Sequence, residues 1–131
     1  MATMKLAAPD VLLLASEWPD RALLRAQLIE EGYEVVAVDA WPVPKLYRVP
    51  GMEPRLLLVD LQGLSTPREM LAELRQLAGP ARVLVLTALG TVAADEVRAL
   101  GFDVIHRPAT IGQIVAAVTA LLRQQRSSPR R

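Results

Sequence analysis

Cysteine is missing altogether from this 131-residue chain, which excludes disulfides, thiolate metal sites and cysteine nucleophiles together. Histidine is nearly missing: His106 is the only one, and a lone imidazole without Cys, His or paired acids around it reads as a polar group on a strand face, not as a metal ligand. No apolar run reaches the roughly 18 residues that a bilayer span needs. The opening MATMKLAAPD is not followed by the apolar stretch and cleavage site of a secretory leader. The serines at 16, 65, 127 and 128 lack a nucleophile-elbow context. ASEWPD, after the first apolar run, is no Gly- or hydroxyl-rich phosphate cradle, and no dinucleotide glycine pattern occurs elsewhere. These absences predict a cytoplasmic protein that is not an enzyme, holds no cofactor and does not enter a membrane.

A basic surplus is missing too, although the formal charge is +1. Arg123, Arg126, Arg130 and Arg131 fall in the last nine residues, which carry no acid; of the 15 basic side chains, 11 remain elsewhere against 14 acidic ones, a balance of −3. Only the tail RQQRSSPRR could touch nucleic acid, and its simpler reading is a solvated terminus. What is present suits one globular domain: 52% hydrophobic and 22% charged residues in a length that supports a single core. The organisation predicted is an N-terminal extension (1–9), a domain over 10–124 and a basic flexible tail (125–131).

Apolar runs alternate with helical patterns. Val11–Leu14, Glu34–Val38, Leu56–Val59, Arg82–Leu86 and Phe102–His106 read as strands. Between them, Pro19 suits a first helical turn and Gly32 a left-handed helix end. Thr66 and Glu69 flank Pro67 as a helix start, and the pattern runs to about Leu77, where Gly79-Pro80 breaks it. A helix is expected over Thr91–Leu100. A last one, capped by Thr110, is expected from Ile111 to about Gln124, with Ile111, Ile114, Val115, Val118 and Leu122 on its apolar side. The stretch 39–54 holds Pro42, Pro44, Pro50 and Pro54 and cannot carry a long regular helix; with Trp41, Leu46 and Tyr47 it is either a contact surface or a cover over the sheet. Five buried strands separated by helices predict an α/β doubly wound parallel sheet, flavodoxin-like, in the order 2-1-3-4-5 with helices on both faces. Chemistry in such sheets gathers at the carboxyl ends of the strands.

The residues there are Ala15-Ser16, Asp60, Thr87 and Arg107-Pro108. With the segments VLLLAS, LLLVDL, VLVLTA and VIHRP in that order, the chain resembles the receiver domains of two-component response regulators over residues 10 to 124. The resemblance implies that Asp60 stands where a phosphoryl group is accepted from a histidine kinase, and that Thr87 stands at the phosphoryl-binding hydroxyl. It also implies departures. Ala15 and Ser16 replace the acidic pair that holds Mg²⁺, with Glu17 as a weak substitute beside Asp60. Arg107 replaces the usual Lys and could pair directly with Asp60, and Val104 stands where an aromatic ring often switches. Mg²⁺ requires hard oxygen ligands, carboxylates among them, so the expectation is a degenerate receiver that signals by protein–protein contact, as a homodimer or with another protein. The surfaces expected for this are the helix over 91–100, the fifth strand and the last helix, whose Val115–Val118 run suggests apolar residues beyond one core stripe. Two other readings stay open: a working single-domain response regulator phosphorylated on Asp60 with Mg²⁺, and a flavodoxin-like cofactor binder.

Overall fold

Leucine and valine stretches flanked by helices are stable only when both of their faces are covered, and that requirement builds the molecule. The computed structural model describes residues 8–40, 53–77, 81–88, 90 and 92–127. Strands β1 (Val11–Leu14), β2 (Val35–Val38), β3 (Leu56–Asp60), β4 (Arg82–Leu86) and β5 (Asp103–Ile105) alternate with helices α1 (Trp18–Glu30), α2 (Pro67–Leu77), α3 (Ala94–Ala99) and α4 (Ile111–Ser127). The sheet is wholly parallel in the order β2-β1-β3-β4-β5, as predicted. Its register aligns Leu14 with Val38 and Val59, and Asp60 with Leu86.

The period-two alternation of a strand divides the core in two. Val11, Leu13, Leu56, Leu58, Leu84 and Leu86 face Leu24 and Leu28 of α1 and Ile114, Val118 and Leu122 of α4. Leu12, Leu14, Leu57, Val59, Val83 and Val85 face Met70, Leu71 and Leu74 of α2 and Val97 of α3. Val104 is partly buried against that second layer.

Local signals set the helix ends. Gly32 closes α1 at φ +98°, a region that costs any L side chain energy. Thr110 Oγ1 accepts the Gln113 N–H at 3.0 Å, while Gln113 Oε1 accepts the Thr110 N–H at 2.8 Å. This reciprocal cap satisfies two of the donors a helix start leaves open.

Several features differ from the sequence expectation. Helix α3 begins only at Ala94, after Ala93, whose side chain supplies no cap. Helix α4 continues to Ser127, because Gln125 Nε2 donates to the Arg55 carbonyl at 2.9 Å and holds the last turn on the sheet. Val115 and Val118 of α4 are both buried and Ala117 is half-buried, so the expected apolar surplus shrinks to exposed alanines at 116 and 120. The helix is wide enough on its core side to absorb them, since α1 packs beside it. Most of the Pro-rich segment, with Trp41, Leu46 and Tyr47, lies outside the described residues, as do Gly79-Pro80 and the tail from 128.

At the amino edge of the sheet, Asp10 accepts the Glu34 N–H at 2.8 Å and pairs with Arg55 at 3.1 Å. Arg55 also donates to the Leu122 carbonyl at 3.2 Å. On the outer surface, Arg68 of α2 grips Glu96 of α3 with two hydrogen bonds of 2.7 and 2.8 Å. No helix among the described residues is long and apolar enough to cross a membrane.

Candidate functional site

The aligned register delivers the ends of β1, β3, β4 and β5 to one rim, and their pairing continues just past the strands. Ala15 N–H donates to Val38, Leu61 N–H to Leu86, and Thr87 N–H to Ile105, at 3.0 to 3.1 Å. The predicted residues meet there, though not all with each other.

Asp60 is 1% exposed. Its Oδ2 accepts Arg107 Nη2 at 2.5 Å and its Oδ1 accepts the Gln62 N–H at 3.1 Å. The direct pairing of Arg107 with Asp60 thus agrees with the sequence expectation. Arg107 precedes a cis peptide bond to Pro108; its side chain is 19% exposed, and its Nε, though buried, has no hydrogen-bond partner. Gln62, Ala88, Arg107, Pro108 and Ala109 line an open depression of about 530 Å³ beside the pair.

Thr87 is equally buried but does not share this contact. Its Oγ1 lies 2.9 Å from Nδ1 of His106, the residue that follows β5. Sequence reasoning placed His106 on a strand face and missed this role. The register brings it there: with Thr87 N–H bonded to the Ile105 carbonyl, the first side chain after β5 stands alongside Thr87.

The loop after β1 holds no acid pair. The Ala15 methyl is fully buried within the α1/α4 layer. Ser16 Oγ donates to the Gln62 carbonyl at 2.8 Å. Arg21, also unforeseen, reaches back from α1 to the carbonyls of Ala15 at 2.8 Å and Ser16 at 3.4 Å. Glu17 precedes α1 as its N-cap residue without a side-chain cap bond, which suits an acid at a helix entry. Gly63 closes the rim at φ +81°; a Cβ there would lie 2.3 Å from Ser16 Oγ and 3.3 Å from Glu17 Oε2.

As a donor set for Mg²⁺ this rim fits poorly. Among the described residues no three His, Cys, Asp or Glu side chains group as metal ligands. Asp60, the one buried carboxylate among the described residues, already accepts a hydrogen bond at each oxygen. A near-octahedral dication needs more hard oxygens than that.

No protein-family model matches the sequence, and no curated protein does. Solved structures do match. A response regulator receiver domain from Clostridium thermocellum is similar with a TM-score of 0.74 at 17% identity, over 92% of this chain and 98% of that one. The receiver domain of Francisella response regulator 1452 gives 0.73 at 18%, over 89% and 98%. A Burkholderia pseudomallei response regulator with a phosphorylated aspartic acid, calcium ion and citrate gives 0.66 at 23%, over 89% and 72%.

Proposed function

From the receiver fold that these likenesses establish, we propose that the chain is a non-enzymatic, receiver-like signalling domain acting by contact with partner proteins. In this reading Arg107 serves Asp60 as a permanent internal counter-ion, and phosphorylation is impaired. The observation that carries it is the Arg107–Asp60 contact at 2.5 Å on a carboxylate 1% exposed. Phosphoryl transfer needs charge neutralisation by a metal and a positioned cation. Here the cation is already spent on the ground-state carboxylate, Ala15 offers no ligand atom, and the Ser16 hydroxyl is committed to Gln62. The guanidinium is also a planar, always-charged fork and not a compact ammonium with three freely rotating donors. The side formed by α3, β5 and the outer face of α4, with exposed His106, Gln113 and Ala116, is the surface we assign to a protein partner.

A second reading has its own support. Asp60 and Thr87 stand at strand ends that match the family pattern, and the similar Burkholderia protein carries a phosphorylated aspartic acid with calcium. Treating the protein with Mg²⁺ and either a small phosphodonor or beryllofluoride separates the two. We expect no mass change and no amide shifts around Asp60. A response that disappears in Asp60→Asn would establish a working phospho-acceptor.

A further inference from the structure

Helix α1 is apolar on two opposite sides. Leu24 and Leu28 face the core at 1% and 0% exposure, while Trp18, Leu23 and Ile29 stand 68%, 53% and 43% exposed. These are three of the four large apolar side chains exposed among the described residues, so the α3, β5 and α4 side contributes none. Pro19, Ala22 and Ala26 are exposed with them.

The outward residues are ordered. Pro19, Ala22, Ala26 and Ile29 follow each other at steps of three, four and three, which makes one stripe of the kind that seams two helices together. Trp18 and Arg25, seven apart, flank the stripe on one side; Leu23 and Glu30, also seven apart, flank it on the other. When two such helices pair side by side in the same direction, a residue on the first flank meets the partner residue five positions further on. Trp18 would then face Leu23 of the second copy, and Arg25 would face Glu30 of the second copy. Both matches are favourable, one apolar and one between opposite charges. In the opposite orientation like flanks meet, setting Arg25 beside its own equivalent. No ion pair among the described residues engages Arg25 or Glu30. The small Ala22 and Ala26 let two helix axes approach to about 8 Å.

We infer that the outer face of α1 binds a second copy of this chain, in parallel about a two-fold axis along the helix, with Arg25–Glu30 pairs on both edges of the seam. The pairing does not depend on the state of Asp60, which lies at the sheet rim. Thirteen residues of helix span only about 20 Å, less than a standard permanent interface occupies, so the dimer is reversible.

Sedimentation velocity on the full chain from about 5 to 500 µM, a range suited to a small interface, tests this. The expected result is a monomer–dimer equilibrium that Arg25→Glu and Glu30→Arg each weaken about tenfold, because every edge then juxtaposes like charges. Mixing the two variants in equal amounts restores association, since both edges of the mixed dimer regain opposite charges. Recovery on mixing also shows that each variant is folded. A monomer at all concentrations, a dimer indifferent to both substitutions, or no recovery on mixing would each overturn the inference.

Discussion

An aspartate–arginine pair stands at each edge of the sheet, Asp10–Arg55 at the amino edge and Asp60–Arg107 at the carboxyl edge, and these two are finished differently. At the amino edge, Asp10 and Arg55 are 23% and 30% exposed, and each also serves the backbone: Asp10 the Glu34 N–H, Arg55 the Leu122 carbonyl. At the carboxyl edge, Asp60 and Arg107 are 1% and 19% exposed, and the Arg107 Nε donor has no partner. A partly hydrated pair tied to backbone is a clasp: its loss is softened by water. A buried pair costs desolvation on both sides and leaves an uncompensated charge when one member goes. Satisfied bonds mark the edge that holds the fold together. The unfinished ones mark the edge where the strand ends converge.

The largest expected effect separates the two pairs directly. Arg107→Ala should lower unfolding free energy by about 3 kcal/mol, because it leaves the buried Asp60 without its partner, whereas Asp10→Ala should cost about 1 kcal/mol. Urea titrations at neutral pH measure both, and equal losses would erase the distinction. Glycines supply the next contrast. Gly63→Ala at the carboxyl rim meets Ser16 Oγ as well as an unfavourable φ, for about 2 kcal/mol. Gly32→Ala at the amino edge meets nothing within 4 Å and should cost only the backbone strain, about 1 kcal/mol. Melting temperatures that rank the pair the other way would show that Ser16 is not held on Gln62.

The smallest effect concerns the exposed Arg68–Glu96 pair, which extends the series toward solvent. The hydrogen bond from Arg68 holds the Glu96 carboxyl below its ordinary value of 4.5; loss of hydration opposes it, and the Arg68 charge and an Ala93 backbone hydrogen bond add smaller lowering contributions. A carboxyl depressed in the folded state stabilises above its unfolded value, and that contribution is lost as pH falls through the folded one. The stability difference between the wild-type chain and Glu96→Gln should therefore be constant at neutral pH and fade in the acid range below 4.5. A difference that stays flat throughout would mean that the bidentate contact is not kept in solution.

Strand order and the identity of the rim residues were legible in the sequence because both follow from short-range rules. Four-residue aliphatic runs ending in Ala15, Asp60 and Thr87 leave little choice of sheet, and right-handed crossovers fix their order. The contact between Asp60 and Arg107 followed from the convergence of strand ends at one rim, across the intervening β4. What escaped depends on register or on helix roll. His106 beside Thr87 requires knowing how β5 slides along β4. The reach of Arg21 to the Ala15 carbonyl requires knowing which way α1 is turned. The burial of Val115 depends on α1 lying next to α4, a contact between distant parts of the chain.

That turn of α1 has one more implication. A helix with leucine on one side and tryptophan, leucine and isoleucine on the other could roll half a revolution and still hide greasy surface, so oiliness alone does not choose its inward side. The choice falls to the guanidinium of Arg21 seated on two carbonyls and to Gly32 stopping the last turn. Polar groups, few and fixed, act as the key that lets this cylinder enter its lock in one orientation.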